Sequence, residues 1–156
     1  MTTLTYKHGV LAVDSRAAHS GVITSPYKKL HTFPGFALGI AGCLPLSMHI
    51  VSGILPYAKG LKRGILPKIT LDYSAFEDNL VCDVGIILLT KTGAYSFGSN
   101  LIVEDITDRP FALGTGSVMA YTAMHMDCNA VEAVEIACDL DPYSGRPIYS
   151  VTQEDL

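Results

Sequence analysis

The second residue of the chain could serve both as a nucleophile and as its base. Thr2 follows Met1 directly, and an initiator methionine is normally removed when the next residue is as small as threonine. Removal would leave a hydroxyl and a free α-amine on one residue. An α-amine, with a pKa of about 7.7 to 8.0, can accept the hydroxyl proton near neutral pH. Taken alone the pattern is weak, because Met-Thr is a common start and an ordinary leading strand also explains it.

An acidic residue interrupts an apolar strand close to this start. Residues 2–18, TTLTYKHGVLAVDSRAA, predict two strands joined at a tight turn at Lys7-His8-Gly9. In the second strand Val10, Ala12 and Asp14 share one face. A carboxylate in an otherwise apolar series indicates a functional site, the alternative being a surface ion pair at the hairpin ends.

The elements that follow predict one layered domain of the α+β class over residues 1–156, with no linker and no repeat. Asn129, followed by Glu132, has the spacing of a capping box, so we expect a helix to begin there and to end before Asp141. The other predicted elements are strands at 22–25, 30–33, 36–42, 84–89, 94–98, 111–113 and 147–151, and helices from 45 to 58 and from about 117 to 124.

Composition excludes several classes of function. The hydrophobic fraction of 49% favours a buried core, and a net charge of −4 with 17% charged residues argues against nucleic-acid binding. The four cysteines have neither zinc-site nor disulfide-scaffold spacing, so we expect reduced thiols in a cytoplasmic protein. The uncharged stretch 30–58 is interrupted by prolines and glycines and does not predict a membrane span. Neither a metal nor an organic cofactor is expected.

Six short motifs, in order, resemble the N-terminal nucleophile hydrolases, specifically proteasome β subunits and the HslV peptidase. Each motif is individually uninformative, but together they span most of the chain. They are Thr2-Thr3, HGVLAVDSRA from His8 to Ala17, Lys28-Lys29, Ile40-Ala41-Gly42, GTGSVMAY from Gly114 to Tyr121, and DPYSG from Asp141 to Gly145. The resemblance implies a four-layer αββα sandwich, with two antiparallel sheets between helical layers.

The resemblance also implies roles for individual residues. Thr2 would be the nucleophile, Lys29 the active-site lysine and Asp14 its carboxylate partner. Strand alternation places Lys28 and Lys29 on opposite sides, and the family uses the second lysine of the pair. Gly42 would offer its backbone N–H to the oxyanion, although a turn glycine would look the same.

Three further polar residues, Thr115, Asp141 and Ser144, match the family's groups around the terminal amine. The family usually has serine where Thr115 stands. On sequence alone, the DPYSG segment could equally be a turn after a helix.

The resemblance implies peptide-bond hydrolysis by Thr2 through an acyl-enzyme ester. The substrate would be a peptide or an unfolded protein, the subunits would form a homo-oligomeric ring, and an AAA+ ATPase is a possible partner. Two alternatives stay open, a non-catalytic structural or assembly subunit with the same fold and an amidase acting on a small molecule. The pocket next to the scissile bond would be lined by Ala17, Tyr27, Ile40 and Leu44.

Overall fold

A computed structural model describes residues 2–19, 22–42, 49–53, 56, 84–100 and 102–156 of the chain. It begins with the predicted hairpin, in which β1 (Thr3–Lys7) pairs with β2 (Val10–Val13). His8 and Gly9 form the turn with positive φ angles of 48° and 78°, a backbone conformation suited to a tight hairpin. The prediction of an N-terminal hairpin is therefore confirmed.

This hairpin is the centre of a four-stranded antiparallel sheet. Strand β10 (Phe111–Gly114) pairs with β1, and β11 (Tyr149–Thr152) pairs with β2. The closing strand predicted at 147–151 is present but begins two residues later, at Tyr149. Along the chain between the hairpin and the second sheet, two short strands, β3 (Ala17–His19) and β4 (Val22–Thr24), pair with each other. The sequence pattern did not predict β3.

The second sheet has five antiparallel strands in chain order. Its central strands read as nearly continuous apolar runs because both of their faces are covered. The predicted hairpin at Lys91-Thr92 is confirmed, since it joins β7 to β8. The strands are β5 (Leu30–Phe33), β6 (Phe36–Gly42), β7 (Val84–Thr90), β8 (Gly93–Gly98) and β9 (Glu104–Asp105).

The two sheets pack face to face over an apolar core. Leu4 and Leu11 of the first sheet contact a cluster that includes Ile87 and Leu89 of the second. The sheets lie close together at Gly39, where an added Cβ would lie 2.3 Å from Leu4 Cδ1. Glycine at this position lets the N-terminal strand sit directly on β6.

Two helices cover the other face of the four-stranded sheet. Helix α1 (Ser117–His125) and helix α2 (Ala130–Leu140) meet through small side chains, among them Ala120 and Ala137, so the helices lie close together. The Asn129 side chain accepts hydrogen bonds from two backbone N–H groups of α2, and Glu132 completes the capping box. Both helix predictions in this region are confirmed.

The far face of the five-stranded sheet packs against residues 49–53, which are helical. Ile50 and Val51 join a cluster there with Phe36, Leu38 and Phe97. The rest of the predicted helix over 45–58 falls largely outside the described residues, as does the segment 59–81. The structure therefore establishes a mixed α/β fold with two stacked sheets and helices, while a complete outer helical layer stays a prediction. None of the helices described is both long and apolar enough to traverse a lipid bilayer.

Candidate active site

Asp14 lies at the end of β2 and is completely buried. Its Oδ1 accepts hydrogen bonds from Lys29 Nζ at 2.8 Å and from the Thr3 backbone N–H at 2.9 Å. Its Oδ2 accepts the backbone N–H groups of Arg16 and Gly145, each at 3.0 Å. Four donors surround this carboxylate, which is how a protein accommodates a buried charge. The acidic residue that breaks the apolar pattern is thus an internal residue with a cationic partner.

Lys29, which immediately precedes β5, is the cationic partner and is only 5% exposed. Lys28 is exposed, so the two lysines have different surroundings, as predicted for neighbouring side chains of an extended segment. Burial lowers the pKa of Lys29 below its usual range, while the charge and hydrogen bond of Asp14 act in the opposite direction. A lysine with a lowered pKa can exchange a proton with a nearby group more readily than a surface lysine.

A second polar cluster joins Thr115 to Asp141, 26 positions further along the chain, and to Ser144 of the same DPYSG segment. Asp141 Oδ2 accepts the hydroxyl hydrogens of Thr115 and Ser144, each at 2.7 Å. Its Oδ1 accepts the Tyr143 backbone N–H at 3.0 Å. Burial raises the pKa of Asp141, but the hydrogen bonds from Ser144 and Thr115 outweigh burial and hold that pKa below its ordinary value. The DPYSG segment therefore builds a hydrogen-bonded carboxylate as well as a turn.

The two clusters meet at the start of β1. Thr2 is 2% exposed, and its backbone nitrogen lies 3.4 Å from Thr115 Oγ1. Because the Thr115 hydroxyl hydrogen is directed at Asp141, the Thr115 oxygen acts as the acceptor for Thr2. Thr3 Oγ1 lies 2.6 Å from Ser144 Oγ. The nitrogen of the predicted nucleophile is thus beside a hydroxyl that is bonded to a carboxylate.

Glycines on both sides of Thr115 make this approach possible. An added Cβ at Gly114, where φ is +92°, would lie 2.0 Å from the Thr2 carbonyl oxygen. An added Cβ at Gly116 would lie 2.0 Å from Thr3 Oγ1 and 3.2 Å from Asp141 Oδ2. The GTG sequence therefore lets this turn press against the N-terminal strand. The GTGSVMAY motif contains both glycines, but nothing in its pattern indicates their role.

Gly42, the predicted oxyanion donor, ends β6 in an exposed position with φ of +109°. Residues other than glycine rarely adopt that conformation. The adjoining residues 43–48 lie outside the described part of the chain. The role of the Gly42 N–H stays a prediction.

The four residues predicted to line the substrate pocket have different surroundings. Ala17 and Tyr27 are half-buried, and the Tyr27 backbone N–H donates to the Ser15 carbonyl at 2.8 Å. Ile40 is buried in the apolar cluster on the far face of the five-stranded sheet. Leu44 lies outside the described residues. The pocket as a set therefore stays a prediction.

Arg16, Gly145 and Thr3 bind the parts of the site together, although sequence analysis gave them no role. Arg16 Nη1 donates to the Pro142 carbonyl at 2.7 Å, and the Gly145 N–H donates to Asp14. An added Cβ at Gly145 would lie 2.6 Å from Arg16 Nε. The DSRA and DPYSG motifs contain two of these residues, but the contacts between the motifs span more than a hundred positions and leave no local signal.

The described ranges contain no group of three or more His, Cys, Asp or Glu side chains that could hold a metal ion. Cys138 of α2 is a free thiol near the site. Burial, reinforced by the charge of Asp14, raises the pKa of Cys138 to about 11.

Comparison with known proteins found neither a protein-family model nor a curated protein that matches this chain. Solved structures do match it along almost its whole length. HslV from Trypanosoma brucei is 17% identical, with 97% of this chain and 98% of that chain covered and a TM-score of 0.67. BPH from Thiobacillus denitrificans, a bacterial proteasome homologue, is 17% identical, with 96% and 95% coverage and a TM-score of 0.62.

A structure of BPH in complex with epoxomicin matches similarly, at 16% identity, 96% coverage of both chains and a TM-score of 0.62. At these identities the comparison establishes the fold and not the activity. The resemblance to HslV and proteasome subunits suggested by the six motifs is confirmed as a likeness of fold.

Proposed function

We propose that this protein is a threonine peptidase whose nucleophile is Thr2, exposed by removal of Met1. The observation that carries the proposal is the position of the Thr2 nitrogen, 3.4 Å from a hydroxyl that donates to Asp141. On removal of Met1 that nitrogen becomes an α-amine. The adjacent residue is held by Asp14, which is paired with a buried lysine. A nucleophile that carries its own base needs a neighbouring group that orients its amine and a main chain that is held in place.

The chemistry follows from the groups in place. The Thr2 hydroxyl oxygen attacks the substrate carbonyl carbon, its proton passes to the α-amine, and the carbonyl oxygen becomes an oxyanion for the Gly42 N–H to stabilise. The C–N bond then breaks, the departing amine takes the proton, and an ester to Thr2 remains. The Thr2 α-amine then deprotonates a water molecule, which hydrolyses the ester and restores the enzyme.

Lys29, Asp14 and Asp141 would favour these reaction steps electrostatically. Asp14 accepts hydrogen bonds from both Lys29 and the Thr3 N–H, so it holds the lysine near the start of β1, where the lysine would favour the deprotonated Thr2 hydroxyl and the neutral amine. Thr115, Asp141 and Ser144 would orient the amine. Threonine in place of the family's usual serine keeps the hydroxyl at position 115 and adds a methyl group.

The wider proposal follows the fold likeness to HslV and BPH. We propose one domain over residues 1–156 with a four-layer αββα architecture, assembled into a homo-oligomeric ring in the cytoplasm. The substrate would be a peptide or unfolded protein strand, an AAA+ ATPase could deliver it, and no cofactor is needed. Because Ala17, Tyr27, Ile40 and Leu44 carry no charge, we expect apolar or aromatic residues to be preferred on the acyl side of the cut.

A non-catalytic subunit with the same fold is the second candidate. As long as Met1 is attached, the Thr2 nitrogen is an amide and cannot accept a proton, so a subunit that is never trimmed would be non-catalytic. A small-molecule amidase is a third candidate, because the site geometry does not distinguish a peptide from another amide.

The test compares two forms of one protein, verified by intact mass, on a panel of fluorogenic peptides. The form that retains Met1 should be inactive, and in vitro removal of the methionine should give turnover. Thr2→Ala, trimmed in the same way, should keep its thermal unfolding temperature and remain inactive. Thr5→Ser, in the adjoining strand β1, is the matched control and should be activated by trimming.

Three outcomes would contradict the proposal. Equal turnover with and without Met1 would exclude the terminal-threonine mechanism and direct attention to Ser15 or Ser144. A folded, fully trimmed protein that cleaves no peptide would favour the structural subunit, and selective turnover of small amides would favour the amidase. Epoxomicin, known in complex with the BPH neighbour, provides a binding probe for the trimmed form.

A further inference from the structure

Thr3 bonds to both polar clusters of the candidate site. Its N–H donates to Asp14 Oδ1 at 2.9 Å, and its carbonyl accepts the Asp14 backbone N–H at 3.0 Å. Its hydroxyl lies 2.6 Å from Ser144 Oγ, and the side chain is completely buried. Thr3 therefore connects the carboxylate that holds Lys29 with the network that surrounds the Thr2 nitrogen.

The direction of the hydrogen bonds in this network can be assigned. Asp141, whose pKa is lowered, is an acceptor, so the Ser144 hydroxyl hydrogen is directed at Asp141. The hydrogen between Thr3 and Ser144 must then come from Thr3. Thr3 is thus the first donor in a chain that runs from Thr3 through Ser144 to Asp141, and valine at position 3 would remove that donor while keeping the shape.

The fold leaves room for this hydroxyl in particular. The nearest atom to an added Cβ at Gly116 would be Thr3 Oγ1, at 2.0 Å. The same Cβ would be 3.1 Å from the Ala137 Cβ of α2. The Thr3 hydroxyl therefore occupies a tight space between the GTG turn and helix α2, with little freedom to move.

Building on the proposed function, we infer that Thr3 is a positioning residue that holds Thr2 in the geometry needed for attack. After Met1 is removed, Thr2 is a chain end joined to one residue only, and chain ends fray unless they are tied down. The peptide plane shared by Thr2 and Thr3 sets the direction of the nucleophile. A misplacement of about 1 Å can reduce a rate about a hundredfold, so fixing Thr3 matters for catalysis.

The chain provides a matched control for this inference. Thr5 lies two positions along β1, on the same face and equally buried, and its hydroxyl donates to the Ala130 carbonyl at 2.9 Å. Thr5→Val removes a comparable hydrogen bond outside the network. Thr3→Ser keeps the donor but loses the methyl group, and Thr3→Ala is a second deletion variant in case the valine variant fails to fold.

The first measurement is the single-turnover rate of ester formation with a peptide substrate, using trimmed protein and recording KM in parallel. Thr3→Val should slow ester formation about 10- to 100-fold while KM changes by less than about twofold. Thr3→Ser should restore most of the rate, and Thr5→Val should match the wild type. The inference fails if Thr3→Val keeps the wild-type rate or if Thr5→Val slows the reaction equally.

The second measurement does not depend on activity. In trimmed protein labelled with 13C at threonine methyl groups, the Thr2 methyl should be ordered in the wild type, Thr3→Ser and Thr5→Val. In Thr3→Val its NMR order parameter should fall below about 0.6, the range of flexible groups. An ordered Thr2 methyl in Thr3→Val overturns the inference, whereas a wild type that is ordered but inactive overturns the proposed function alone.

Discussion

Adjacent lysines in this chain differ sharply in their surroundings. The Lys28 side chain is exposed, whereas Lys29 Nζ lies 2.8 Å from Asp14 in the interior. Period-two alternation in an extended segment produces this difference. Of these two lysines, Lys29 is the one that lies within the candidate site.

Replacing each lysine in turn tests that assignment. Lys29→Ala should reduce kcat by at least about a hundredfold, because the site loses its cationic group, while Lys28→Ala should stay close to the wild type. The Lys29 variant also leaves Asp14 buried without its cation, which can cost about 3 to 5 kcal/mol. Thermal unfolding must therefore be recorded with the kinetics, at a temperature where both variants are folded. Equal losses of activity from the two changes would show the assignment to be wrong.

The sequence could predict a site residue where the pattern of its immediate sequence neighbours marked it out. Asp14 interrupted an apolar series, and Lys29 could be separated from Lys28 by alternation. Thr115, Asp141 and Ser144 came only from the family resemblance, because the hydrogen bond from Thr115 to Asp141 joins positions 26 residues apart. Thr3 was part of a quoted motif, yet its bond to Ser144, 141 residues away, could not be inferred without the fold.

At the scale of elements, helix α2 positions Asp141 of the candidate site. Asp141 directly follows the last residue of α2. Its backbone N–H donates to the Ala137 carbonyl at 2.7 Å, so the helical hydrogen bonding extends to the residue that carries the carboxylate. The other end of α2 is fixed by the Asn129 capping box. Local signals of this kind, caps and turn glycines, are why the helices and hairpins were predicted well. The pairing of β1 with β10 depends on long-range contacts and was not predicted.

Removing the cap should lower stability without altering the chemistry. Asn129→Ala leaves two backbone N–H groups of α2 without their side-chain acceptor, and we expect a loss of about 1 kcal/mol in the free energy of unfolding. Urea denaturation of the variant and the wild type provides the measurement. Glu135→Ala, an exposed position on the same helix, is the control and should change stability by less than about 0.5 kcal/mol. A capless variant as stable as the wild type would mean that tertiary packing alone fixes the start of α2.

At the scale of the whole molecule, several large apolar side chains of the described residues lie outside the buried core. Two sheets, two helices and residues 49–53 bury a large set of aliphatic and aromatic side chains. Several large apolar side chains nevertheless remain exposed on the single chain, including Val118 at 74%, Met126 at 76% and Ile102 at 70%. Single exposed apolar residues are ordinary, but this chain combines them with only 17% charged residues.

We therefore expect the protein to form a homo-oligomer in solution. Fully burying one such side chain contributes about 1.5 to 3 kcal/mol, so a few of them in a subunit contact can hold an assembly together at micromolar concentration. Light scattering and native mass spectrometry should give a mass that is a multiple of the 16.7 kDa subunit. Because apolar contacts persist in salt while exposed ion pairs are screened, that mass should be unchanged in about 1 M NaCl, where the Debye length is about 3 Å. A single species of monomer mass at micromolar concentration would contradict the prediction, and dissociation by salt alone would show that charged contacts hold the subunits together.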